Sequence, residues 1–163
     1  MALLPTADIE STTMGPVDTV GIVHTYDSIA VGQSCAVERF VSEDDVLAFA
    51  RITGDDNPIH VDPAYAAETR FGKRIVHGVF LLALISKVLG HDFPGHGSVA
   101  VNISCRFLRP VPVNSTVTVE VKVSEKFEKR RQVKARTYIY NESGRMVLAG
   151  EAVFIPPGES SSL

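Results

Sequence analysis

The sequence predicts an α+β domain in which an antiparallel sheet packs around one buried helix. Residues 75–90, "IVHGVFLLALISKVLG", are apolar on nearly every helical face yet too short to cross a membrane, which marks a helix enclosed by protein. Beyond residue 98 the chain breaks into stretches that alternate apolar and polar residues with period two, the pattern of half-buried strands. These strands follow one group of helices and are joined by short turns. That order builds an antiparallel sheet rather than βαβ units.

The elements follow in chain order. "SCAVERFV" (34–41) alternates as a strand. Ser42 then stands as an N-cap with Asp45 at the third helical position, a shortened capping box. Val46, Phe49, Ala50 and Thr53 recur at helical spacing, and Gly54 ends that helix in the left-handed conformation. Asp62 caps a second short helix over 62–72, with Pro63 as its first residue. After the apolar helix come strands at 98–111, 115–127, 131–141 and 145–155, the last two joined by a turn at Asn141–Gly144. Val117, Val119, Val121 and Val123 share one face of the second, and Val133, Ala135, Thr137 and Ile139 one face of the third. Residues 1–30 lack periodicity and are expected to form an N-terminal extension, a loose arm or an added edge element. The domain proper is expected over 31–157 and a disordered tail over 158–163.

Composition narrows the partners. Of 163 residues, 45% are apolar and 21% charged, enough to bury a core in one domain. A net charge of −3 predicts no general attraction to nucleic acid or to an anionic membrane. No apolar run has the length of a membrane span. Cys35 and Cys105 form neither a disulfide framework nor a metal spacing, so a reducing, cytoplasmic setting is expected. The final Ser161-Ser162-Leu163 only faintly resembles a peroxisomal Ser-Lys-Leu address, because the central Lys is missing.

"TGDDNPIH" (53–60) is the stretch that turn chemistry does not use up. Pro58 fixes its own φ and biases Asn57 away from helix, while the Asn57 side chain can tie to nearby backbone. The loop is therefore stiff, and it carries a carboxylate, Asp55, and an imidazole, His60. Such a pair can hold one water, one group taking a proton while the other supplies one. The same residues also read as a helix-ending turn with a structural histidine. A metal site is not expected, because no third His, Cys or Glu stands at a useful spacing. "RIVHGVF" (74–80) brings Gly78 to the helix entry, where free amides would stabilise charge building on an oxygen. Close packing against the sheet explains that glycine equally well. Ser86, polar within the apolar helix, can simply bond back to a carbonyl one turn earlier.

"FARITGDDNPIHVDPAYAAETRFGKRIVHGVFLLALIS" (49–86) resembles the hydratase 2 motif and following helix of the MaoC-like, (R)-specific enoyl-CoA hydratases. The resemblance implies a hot-dog fold, a sheet wrapped round one long central helix, and it runs from about Ile29 to Pro156. It implies that Asp55 and His60 are the catalytic pair and that Asn57 holds the loop. Gly78 would polarise the thioester carbonyl, and Ser86 matches a helix serine found near the active-site Asp. The implied reaction interconverts trans-2-enoyl and (R)-3-hydroxyacyl thioesters of coenzyme A or an acyl carrier, with no metal or other cofactor. A homodimer is implied as well. Two competing readings are a hot-dog acyl-CoA thioesterase, which would lack the Asp-x-Asn-Pro-x-His loop, and a non-catalytic acyl-CoA-binding module, which would have no use for both Asp55 and His60.

Overall fold

The computed structural model describes residues 23–158, so the expectations for residues 1–22 and 159–163 fall outside the described chain. Five strands form one antiparallel sheet: β1 (Ser34–Val41), β2 (Val99–Phe107), β3 (Ser115–Phe127), β4 (Gln132–Asn141) and β5 (Met146–Ile155). Their order across the sheet is β1-β3-β4-β5-β2, which leaves β1 and β2 as edges. The helices α1 (Glu43–Thr53), α2 (Pro58–Val61), α3 (Pro63–Ala67) and α4 (Gly78–Lys87) all lie between the first two strands in sequence. The α+β class read from the sequence is the class observed. None of the described helices is long and apolar enough to cross a membrane.

The period-two faces become the floor of the core. Val117, Val119, Val121 and Val123 of β3 are buried, as are Val133, Ala135 and Ile139 of β4, and Leu81, Ile85, Val88 and Leu89 lie in the same cluster. Each buried aliphatic side chain stabilises the fold by about 1.5–3 kcal/mol relative to exposure. Tyr26 and Ile29 belong to this core too, and the His24 N–H donates to the Pro94 carbonyl at 2.9 Å. The last residues of the expected extension are therefore packed onto the domain.

Caps fall where the side chains dictate. Ser42 and Asp45 form a reciprocal capping box at α1, and Gly54 closes that helix at φ 76°. The Asp62 carboxylate accepts from the Ala64 and Tyr65 amides and starts α3. That helix is shorter than the expected 62–72, because both the amide and the hydroxyl of Thr69 turn back to the Ala66 carbonyl.

Two boundaries differ from expectation. The central helix begins at Gly78 rather than Ile75, since Ile75 bridges Pro112 and the Val76 N–H donates to Val111 at 2.8 Å. It also passes into a wider π turn over Val88–Asp92. Strand β2 stops at Phe107 instead of 111. The Leu108 and Arg109 amides both donate to the Val147 carbonyl, and Pro110 and Pro112 offer no donor to continue a ladder. The helix is not enclosed on all sides within one chain. Val79, Ala83 and Ser86, a stripe at helical spacing, are exposed.

Candidate active site

One turn of helix presents the imidazole. Asn57 is the N-cap of α2, its side-chain oxygen accepting the Ile59 N–H at 3.3 Å, and Pro58 is the first helical residue. His60 follows two residues later on a short segment fixed at its start by the amide and the proline. Asn57, expected to hold the loop, makes this N-cap hydrogen bond to the Ile59 amide.

The ring of His60 is oriented by the backbone. Its Nδ1–H donates to the Ile75 carbonyl at 2.7 Å. A carbonyl oxygen only accepts, so in the neutral ring Nε2 keeps its lone pair. Burial pushes the imidazole pKa below its ordinary value, the neighbouring His77 adds to that, and the Ile75 hydrogen bond and Asp55 oppose it. A half-buried imidazole held neutral with one free lone pair is a base looking for a proton.

Asp55 stands beside it. A carboxylate oxygen of Asp55 and one ring nitrogen each from His60 and His77 all fall within 4.8 Å of one another. That separation is of the size a single bridging water spans. Asp55 is exposed, His60 half-buried and His77 almost wholly buried at 1%.

His77 belongs to no motif in the sequence. Only a weak signal existed: a histidine between Val76 and Gly78 at the mouth of an apolar helix. Its Nε2–H donates to the Asp55 carbonyl at 2.9 Å, and its ring stacks on His60 with centroids 3.8 Å apart and planes 30° apart. Three potential ligands thus do meet, contrary to the expectation that no third was placed to do so. The stack does not suit a metal ion, however. An ion must lie in the plane of each ring about 2.0–2.1 Å from the nitrogen. With centroids 3.8 Å apart and a tilt of 30°, the two ring planes meet only well beyond that reach.

His60 and Gly78 line one cavity of about 360 Å³, together with Ile75, Phe107, Arg70 and Arg109. A helix leaves its first amides without intrahelical partners, and at α4 these belong to Gly78 and its neighbours. They carry the positive end of the helix dipole. Gly78 also packs closely, since a Cβ there would sit 3.1 Å from the Phe107 ring. Close packing against β2, one of the two explanations the sequence offers for this glycine, is observed. Ser86 lies two turns further along α4, about 12 Å by helix rise, and is exposed rather than deep in the helix packing. It does not line the cavity. Its stripe with Val79 and Ala83 faces away from the sheet.

A sheet packed on a short central helix, with an acid and an imidazole beside the helix entry, defines the class of fold and site. The profile of the MaoC like domain matches residues 28–143. The chain belongs to the MaoC-like family, and its fold is the hot-dog fold. It is 40% identical to an (R)-specific enoyl-CoA hydratase of Aeromonas caviae over 126 residues, covering 77% of this chain and 94% of that one. A 3-hydroxybutyryl-CoA dehydratase of Methylorubrum extorquens is 38% identical, covering 81% of this chain and 83% of the relative. Among solved structures, an (R)-hydratase from A. caviae superimposes with a TM-score of 0.78 at 39% identity, covering 80% of this chain and 98% of that one. An unliganded R-hydratase from Pseudomonas aeruginosa reaches 0.79 at 38% identity, covering 83% and 86%.

Proposed function

We propose that this chain reversibly hydrates trans-2-enoyl thioesters to (R)-3-hydroxyacyl thioesters. The observation that carries the reading is the cavity shared by His60 and the Gly78 helix entry, with Asp55 within 4.8 Å of the imidazole. Relatives near 40% identity named as (R)-specific enoyl-CoA hydratases support the same reaction.

Water adds slowly to an enoyl thioester because negative charge must build on the thioester oxygen. The Gly78 amide and the α4 terminus would hold that oxygen, worth on the order of a hundredfold or more per donor. At C3 the water loses a proton to the Asp55–His60 pair as its oxygen bonds to carbon. The π electrons move toward the thioester oxygen, and the resulting enolate takes a proton from the pair at C2. General acid–base catalysis of this kind contributes about 10² to 10⁴. No electrons are gained or lost overall, so the scheme calls for no redox cofactor.

Coenzyme A or an acyl carrier would bring the acyl group. Arg70 and Arg109 border the cavity, Arg109 with one N–H already donated to the Met146 carbonyl, and Arg70 suits the carrier's phosphates. Arg74 is committed to Glu43 at 2.7 Å, and Arg131 of the 126–131 hairpin tip to Asp27 at 2.8 Å. A homodimer is part of the reading. Edge strand β2 exposes Val99, Val101 and Phe107, and α4 exposes Val79, apolar surface that a second copy would cover. A cytoplasmic setting fits the two free cysteines.

The test is to add purified protein to crotonyl-CoA while following enoyl absorbance and free thiol together. Loss of absorbance without thiol release is expected. Thiol release would support a thioesterase, and binding with neither change a non-catalytic module.

A further inference from the structure

We propose that His77 is a positioning residue that ties the water-activating pair to the carbonyl-polarising amide; the inference rests on the reading of Asp55, His60 and Gly78 given above. One side chain touches both members of the pair. Its Nε2–H holds the Asp55 main-chain carbonyl at 2.9 Å, and its ring lies on that of His60 at 3.8 Å. Its own carbonyl carbon is bonded to the Gly78 nitrogen, the amide assigned to the thioester oxygen. The reaction needs water at C3 and a donor at the thioester oxygen at one fixed separation. His77 is where those two halves of the site join.

Its surroundings fit that task. His77 is the N-cap of α4 but makes no side-chain cap, so its N–H is spent across the site rather than on its own helix. The ring is wedged between His60 and Phe49, whose centroid is 5.0 Å away. Its Nδ1 is buried and meets no donor among the described residues. A histidine kept only as filling would leave that buried acceptor as an uncompensated cost. An apolar ring of similar size would pack there without one. The retained nitrogen is the one that grips Asp55. The stacked ring also acts on His60: a second imidazole against its face disfavours the protonated form, in the same direction as burial.

Two substitutions separate the donor from the ring. His77→Gln keeps an N–H near the position of Nε2 and removes the imidazole. His77→Phe keeps a ring and removes the donor. Thermal unfolding first checks that each variant folds. With crotonyl-CoA, His77→Phe is expected to lose about tenfold to a hundredfold in kcat with KM little changed, since small displacements of reacting groups have effects of that size. His77→Gln should stay within several-fold of the parent in kcat, while its acid limb moves to higher pH. Carbon-13 NMR titration of the His60 ring provides a readout independent of turnover, and its midpoint should rise in His77→Gln. Equal kcat losses in both variants, or a His60 titration unchanged in His77→Gln, would overturn the proposal. If the parent protein does not hydrate crotonyl-CoA, the hydratase reading fails by itself, and the NMR midpoints still decide whether His77 acts on His60.

Discussion

His60 and Asp55 meet because one turn of helix and one helix cap bring them together across five residues. The His60 Nδ1–H is taken by Ile75, which directs the free lone pair of the neutral ring to Nε2. Burial is the main cause that lowers its pKa. A base with a lowered pKa remains unprotonated further into acid. The acid limb of kcat/KM for hydration should therefore fall with an apparent pKa below the ordinary imidazole value of about 6.5. A limb at or above that value would contradict the assignment of His60 as the proton acceptor. The pair should also act as a unit. His60→Ala and Asp55→Asn combined are expected to lose about as much kcat as the worse single variant, and a loss equal to the product would argue against a shared water. Asp55, Asn57 and His60 were legible because the proline, the amide and the two ionisable groups lie within six residues. His77 was not, because its contacts to Asp55 and His60 depend on tertiary packing and leave no local spacing to read.

At the scale of elements, two glycines set how β2 meets the rest of the fold. A Cβ on Gly150 of β5 would collide with the Ser104 carbonyl and the Cys105 backbone, atoms that cannot swing aside. Gly150→Ala is expected to destabilise the protein by at least about 3 kcal/mol, read by urea denaturation. Gly78→Ala meets only the half-exposed Phe107 ring at 3.1 Å. It should cost about 1 kcal/mol and raise KM several-fold, because that ring borders the cavity. Equal losses for the two variants would show that β2 is more pliant than this packing implies. Strand placement was readable along the chain: 34–41 and 115–127 form strands over those very residues, since period-two burial writes itself into sequence. The ends of β2 and α4 were not. Proline and a shared Val147 carbonyl end one, and a β-bridge to Pro112 delays the other, and both depend on distant partners.

At the scale of the whole molecule, the apolar helix carries the main lesson. Residues 75–90 read as buried on every face, yet Val79 is 60% exposed within one chain. The same apolar signal serves a core and an interface, and hydrophobic pattern alone does not separate them. The homodimer proposed above would account for the difference. Sedimentation should give about twice the 17.6 kDa of the chain, and Val101→Lys on edge strand β2 should shift it toward a single chain. A parent protein that sediments as one chain at micromolar concentration would remove the dimer from the account.

Chemistry at the Asp55–His60 pair is the central claim, and the direct measurement is chiral analysis of the product formed from crotonyl-CoA by the parent protein and by Asp55→Asn. The account predicts (R)-3-hydroxybutyryl-CoA alone, with the rate lowered about a hundredfold or more in a variant whose fold is unchanged. An (S) product, or near-parental turnover by Asp55→Asn, would contradict it.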